Sequence, residues 1–209
     1  MYDSGISAER FIDQLKNEID IAVPFSTSVY VDYINVVEQL LYSEIIKEQE
    51  EAVVSAKDIS NGCMVLSDIT VPENHDPIQF DDIHCVYALD PLGDAVQLIK
   101  TNLTSSLIFQ NCYAKEAGNL RINTTETPQS VRITYFVRPV MRTVAEDSVT
   151  GGNIHVPIAF IDLVRAKVRG ELYMLSGEYA HAANWLSVYN AQLENFKAYI
   201  NAHTAGFGL

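Results

Sequence analysis

The chain has 209 residues, is 48% hydrophobic and carries 27 acidic against 14 basic side chains, a formal net charge of −13. That length and apolar content suffice for a real core in one or two domains. The acid excess argues against a protein that grips nucleic acid by neutralising phosphates. There is no run of eighteen apolar residues, so no membrane span is expected. The opening Met1-Tyr2-Asp3-Ser4-Gly5 lacks the basic-then-apolar pattern of a secretory signal. Cys63, Cys85 and Cys112 are widely spaced and form no CxxC pair, which suits three ordinary thiols in a reducing compartment.

In chain order, the first expected helix runs from Ser7 to about residue 22. Ser7 is placed to cap the free amides of the first turn, Phe11, Ile12, Leu15 and Ile19 form its apolar stripe, and Pro24 closes it. A second helix is expected from residues 26–28 to beyond Ile46, burying Tyr30, Tyr33, Val37, Leu40 and Leu41. The acidic tract Lys47-Glu48-Gln49-Glu50-Glu51 reads as its solvated continuation. The period then changes. Pro72, Asn74, Asp76 and Pro77 mark a loop, and strands are expected at 83–89, 95–99, 106–113, 120–123 and 131–137. Asp90-Pro91-Leu92-Gly93-Asp94 reads as the turn between the first two. The segment 131–137 alternates most regularly, with Val131, Ile133, Tyr135 and Val137 on one side, and Pro139 ends it.

After the glycine pair 151–152 come two amphipathic helices. The first places Ile161, Val164, Val168, Leu172 and Leu175 on one stripe. The second repeats Tyr179, Ala182, Leu186, Tyr189, Leu193, Phe196 and Ile200, with Gly177 near the joint. The charge is uneven: residues 1–56 hold eleven acids and three bases, whereas residues 157–209 hold four of each.

The element order predicts an α+β fold, a helical bundle of two N-terminal and two C-terminal helices with a small antiparallel β-domain inserted. The expected limits are 1–58 with 154–203 for the bundle, 59–153 for the β-domain, and 204–209 for a flexible C-terminal docking tail. No catalytic, cofactor-binding or metal-binding set is expected. His84 and Cys85, next to Asp81 and Asp82, would point to opposite faces of a strand, which defeats a zinc site. No GxSxG, HExxH or Walker loop is present. The residues expected to meet partners are Arg165 and Arg169, which share a helix face and could contact an acidic surface, and Phe207 and Leu209, apolar anchors spaced by glycine in the tail.

The run Ile133-Thr134-Tyr135-Phe136-Val137-Arg138-Pro139, then Asn153-Ile154-His155-Val156-Pro157 leading into Ile161-Asp162-Leu163-Val164, with Gly170-Glu171-Leu172-Tyr173 and Gly177-Glu178-Tyr179-Ala180, resembles the C-terminal half of small virion proteins of tailed bacteriophages. In general plan the chain is similar to the head-to-tail connector adaptors. That resemblance implies a non-enzymatic structural protein of the virion, assembled in the host cytoplasm. It implies a homo-oligomeric, usually dodecameric ring between the portal protein and a tail or nozzle protein, with DNA passing through a central channel without specific binding. A tail-completion or gatekeeper protein is the nearest alternative. A ligand- or carbohydrate-binding module using Phe109, Tyr113, Tyr135 and Phe136 is a more distant one. Deleting residues 204–209 is expected to weaken portal binding in co-sedimentation while leaving the thermal transition in place; a large fall in melting temperature would put the tail inside the fold.

Overall fold

The computed structural model describes residues 2–21, 24–73, 75–145 and 148–204, and it divides into two compact units. One comprises residues 1–46 with 139–209, the other residues 47–138.

In the first unit, helix α1 spans Ala8–Glu18. Ser7 caps it by accepting the Arg10 N–H, and Phe11, Ile12 and Leu15 are buried. Helix α2 spans Thr27–Leu41 and buries Tyr30, Val31, Ile34, Val37 and Leu41 together with two polar side chains, Asn35 and Glu38. A π-helical turn, Tyr42–Ile46, follows it. The short helix α3, Leu103–Ser106, belongs to the second unit. Helix α4 spans Ile161–Leu175 and α5 spans Tyr179–Thr204.

The joint between α4 and α5 is a Schellman turn. Gly177, at φ +83°, donates to the Met174 carbonyl, and Glu178 donates to that of Tyr173. The expected stripes are there, with Ala182, Tyr189, Phe196 and Ile200 buried on α5, but Leu175 and Tyr179 at the tip face solvent. Midway, a Cβ on Gly170 would lie 2.8 Å from Leu186 Cγ, so the helices approach backbone to side chain at that point. Phe160 packs against Phe196 and Tyr199 at ring distances of 4.9 and 5.0 Å.

The second unit is built on a sheet of seven strands. They are β1 (Gln49–Ser55), β2 (Cys63–Met64), β3 (Ile83–Leu89), β4 (Ala95–Lys100), β5 (Cys112–Glu116), β6 (Asn119–Asn123) and β7 (Ser130–Phe136). Their order is β1-β7-β3-β4-β5-β6-β2. Every neighbouring pair is antiparallel except β4 and β5, which run parallel and are linked through the short helix α3 (Leu103–Ser106). Val131, Ile133 and Tyr135 on β7 point into the core with Val86, Leu98, Ala114, Leu120 and Ile122. The two edge strands line one cleft of about 350 Å³, with Val53 and Val54 on β1 and Met64 at the end of β2, so the sheet curls until its edges face each other. A further hairpin, β8 (Thr143–Ala145) with β9 (Ser148–Thr150), lies in the first unit.

This corrects the expected helical bundle with a small antiparallel insertion. The sheet is seven-stranded, mixed and curled, and the four long helices do not form a bundle. α4 and α5 pack along each other, while α1 and α2 also share their contacts with the β8–β9 hairpin. The main physical reason is at residues 47–55. Lys47 turns at φ +47°, and Gln49 onward leaves the helical path to pair with β7, from Gln49 with Phe136 to Ser55 with Ser130. Ladder bonds and the burial of Ala52 and Val54 outweigh the helical preference of a charged tract. The expected strand at 106–113 is displaced as well: it opens with the end of α3, and β5 begins only at Cys112.

Gly170→Ala is expected to destabilise the protein by about 1–3 kcal/mol through overpacking, although helix propensity alone favours alanine by about 1 kcal/mol. Urea unfolding measures it. An unchanged or raised midpoint would mean that α4 and α5 can move apart there at no cost.

Candidate functional site

The residues expected to meet partners fall in different places. Arg165 and Arg169 on α4 close onto α1 of the same chain. Arg165 Nη1 donates to Glu18 Oε1 at 2.7 Å and its Nη2 to Gln14 Oε1 at 3.1 Å. Arg169 Nη1 donates to Glu18 Oε2 at 3.0 Å and its Nη2 to the Glu18 carbonyl at 3.0 Å. The Arg169 guanidinium also stacks 3.7 Å from the Trp185 ring, and Arg165 lies over Phe11. The acidic surface that these cations meet is therefore their own N-terminal helix. Lys167 turns away to Glu171, at 2.7 Å. Phe207 and Leu209 lie outside the described residues.

The crowded Asp81–Cys85 segment divides as strand geometry requires. Asp82 is buried and bound by Arg138, and it also accepts the Gln79 N–H at 3.2 Å. Burial pushes its carboxyl above the ordinary aspartate value despite the arginine. Asp81 reaches outward to Lys115 at 3.3 Å, and His84 packs on Phe136. Among the described residues no group of three or more His, Cys, Asp or Glu side chains could hold a metal ion. The four aromatics of the ligand-binding alternative do not share a face. Tyr113 and Tyr135 are core, Phe136 packs on His84, and Phe109 is exposed.

Among the described residues, each unit also buries a histidine beside charged groups. In the first unit, both Arg142 Nη atoms donate to the Glu38 carboxylate, and Nη2 also donates to the Asn153 carbonyl. The Asn35 amide both donates to and accepts from the Arg142 backbone, at 2.9 and 3.0 Å. Glu38 Oε1 further accepts the His155 N–H at 2.6 Å. Burial holds the His155 ring below its ordinary pKa, and nearby Arg142 acts the same way, while Glu38 and Asp3 pull it up. In the second unit, burial also lowers His75, whose ring sits 3.5 Å from the Glu50 carboxylate.

Among the described residues, large apolar side chains are exposed in several places, two of them at helix ends. One is the α4–α5 tip, where Met174, Leu175 and Tyr179 are exposed, with Val188 further along α5. The other follows α3, where Leu107, Ile108 and Phe109 are 64, 72 and 61% exposed in direct succession. The backbone beneath that triplet is held firmly. Asn123 Nδ2 donates to the Ser106 and Phe109 carbonyls at 2.8 Å each, the Cys112 thiol donates to the Phe109 carbonyl at 3.0 Å, and Asn102 caps α3. Three consecutive large apolar side chains held in water on a supported loop are the signature of a contact surface. Sequence periodicity missed it because the triplet resembles a short strand. The signal that could have found it is the absence of any charged residue from Thr101 to Ala114, together with the Asn102 cap.

No protein-family model matches the chain, and no curated protein matches it.

A histidine whose folded pKa is depressed binds fewer protons folded than unfolded, so its contribution is intact above the unfolded pKa, about 6.5, and is lost as pH falls below it. The urea midpoint is accordingly expected to drop between about pH 7.5 and pH 5.5, and the drop to shrink in His155→Gln. An equal drop in the variant would show that His155 does not carry it.

Proposed function

We propose that the chain is a virion structural protein of a tailed bacteriophage, a head-to-tail connector adaptor whose copies form a ring between portal and tail around a DNA channel. The observation that carries this reading is the α4–α5 pair. Its inner stripe is consumed within the unit, yet it keeps Met174, Leu175 and Tyr179 exposed at the tip. A surface of that kind gains from burial against another protein. The exposed triplet Leu107–Phe109 supports a second such contact. Two different apolar surfaces on one chain suit head-to-tail repetition, in which unlike patches meet and a fixed rotation closes a ring. The acid surplus suits a channel wall that repels the phosphate backbone and lets DNA slide. Arg165 and Arg169, bound to Glu18, take the role of fixing α4 on α1 and so set the direction in which the tip points.

The purified protein is expected to be monomeric or weakly associated alone, and to form a closed ring when mixed with the portal protein encoded in the same genome. Size-exclusion chromatography with light scattering, with and without that portal, reads this directly. Absence of any complex with the portal ring would contradict the connector reading and favour another virion component.

A further inference from the structure

We propose that the split in the sheet between β4 and β5 is a strand-acceptor site for an extended, basic segment of a partner protein. The split follows from the register. β4 pairs with β3 through Ala95–Leu98, but with β5 only at Ile99 and Lys100.

Backbone direction in a strand alternates, and three bonds fix its phase here. Asp90 N–H donates to the Asp94 carbonyl, which aims Asp94, and with it Val96 and Leu98, at β3. Ile99 N–H donates to the Asn111 carbonyl and Thr101 N–H to that of Tyr113, which aims Ile99 and Thr101 away from β3. Ala95 and Gln97 share the phase of Ile99. Their N–H and C=O groups therefore point into the split, beside which no described strand runs. A row of free backbone donors and acceptors next to a paired strand is a template for one more strand.

A groove of about 300 Å³ adjoins this edge through Asp94 and Val96, the chain neighbours of Ala95, and through Asn111, which meets Ile99 across the split, and its composition selects the occupant. Ala88, Val96 and Pro128 give it an apolar lining that can take side chains from one face of an added strand. Asp90, Asp94 and Glu126 rim it, and no lysine or arginine lines it. Three carboxylates without a cation favour lysine or arginine on the incoming segment and disfavour acids. The chain's own net charge of −13 disfavours a second copy in this acidic groove, so the proposal commits to a different, basic polypeptide. This inference stands apart from the connector reading, since a ring can form with or without a strand in this groove.

The test uses the full ¹⁵N-labelled chain with three probes: a synthetic peptide Lys-Val-Lys-Thr-Lys-Val-Lys, its glutamate counterpart, and the lysine peptide with alternate backbone amides methylated so that it cannot complete a ladder. The lysine peptide is expected to slow amide exchange at Ala95 and Gln97 by about tenfold or more at saturation. The glutamate and methylated peptides are expected to leave those two amides unchanged. Asp94→Asn and Glu126→Gln are each expected to weaken the lysine peptide by about threefold. Four results would overturn the proposal: no saturation by the lysine peptide up to millimolar concentration, saturation with exchange at Ala95 and Gln97 unaltered, equal protection by either control, or protection that rises with protein concentration alone, which would assign the edge to a second copy.

Discussion

The buried pair of Arg142 and Glu38 is the interaction on which the first unit depends. Two charges without water cost several kcal/mol each unless every donor and acceptor is placed. Here most are: the guanidinium meets the carboxylate through both terminal nitrogens and also reaches the Asn153 carbonyl, Asn35 brackets the Arg142 backbone, and the carboxylate takes the His155 N–H. These bonds join α2 to a stretch of chain that returns only after the whole of the second unit. That return stretch leads directly into α4 and α5. Removing one partner strands the other charge in the core, a loss of about 3–5 kcal/mol. The pair thus works less as a source of stability than as a condition that a single arrangement satisfies.

Once the return stretch is fixed, the placement of the surfaces follows. α4 is held on α1 by Glu18, which serves two arginines at once, and by the Arg169–Trp185 stack. α5 is held on α4 at Gly170, where only a missing side chain permits the approach of Leu186. With both helices locked, Met174, Leu175 and Tyr179 stay exposed at the tip. The triplet Leu107–Phe109 in the other unit obeys the same logic on a smaller scale: the polar side chains of Asn102, Asn123 and Cys112 satisfy the backbone, and the apolar side chains are left in water. Both surfaces are built features with an internal cost, and the proposed ring gives each a partner.

The sequence reading succeeded where one local signal suffices. The stripes of α1, α4 and α5, the Ser7 cap, the Gly177 joint and the alternation of β7 each rest on residues within a few positions of one another. It failed where the deciding partner is distant. β1 looks helical in isolation and becomes a strand because β7 waits some eighty residues later. Arg165 and Arg169 look free until Glu18, about 150 residues earlier, is seen to accept a hydrogen bond from each. The parallel β4–β5 pair and the split beside it leave no periodic trace, because strand order is a property of the sheet and not of any strand. Glu38 and Asn35 sit on the buried face of α2, where a stripe of apolar residues would predict only apolar company.

The most direct measurement is native-state amide hydrogen exchange at Arg142 and His155. The N–H groups of both are held by side chains, of Asn35 and Glu38, and by no helix or sheet ladder. If the polar knot closes the unit, these two amides exchange only through global unfolding, as slowly as that of Val168 at the centre of α4. Exchange orders of magnitude faster than Val168, under conditions where α4 stays protected, would show that the unit holds together without the knot and would contradict the account.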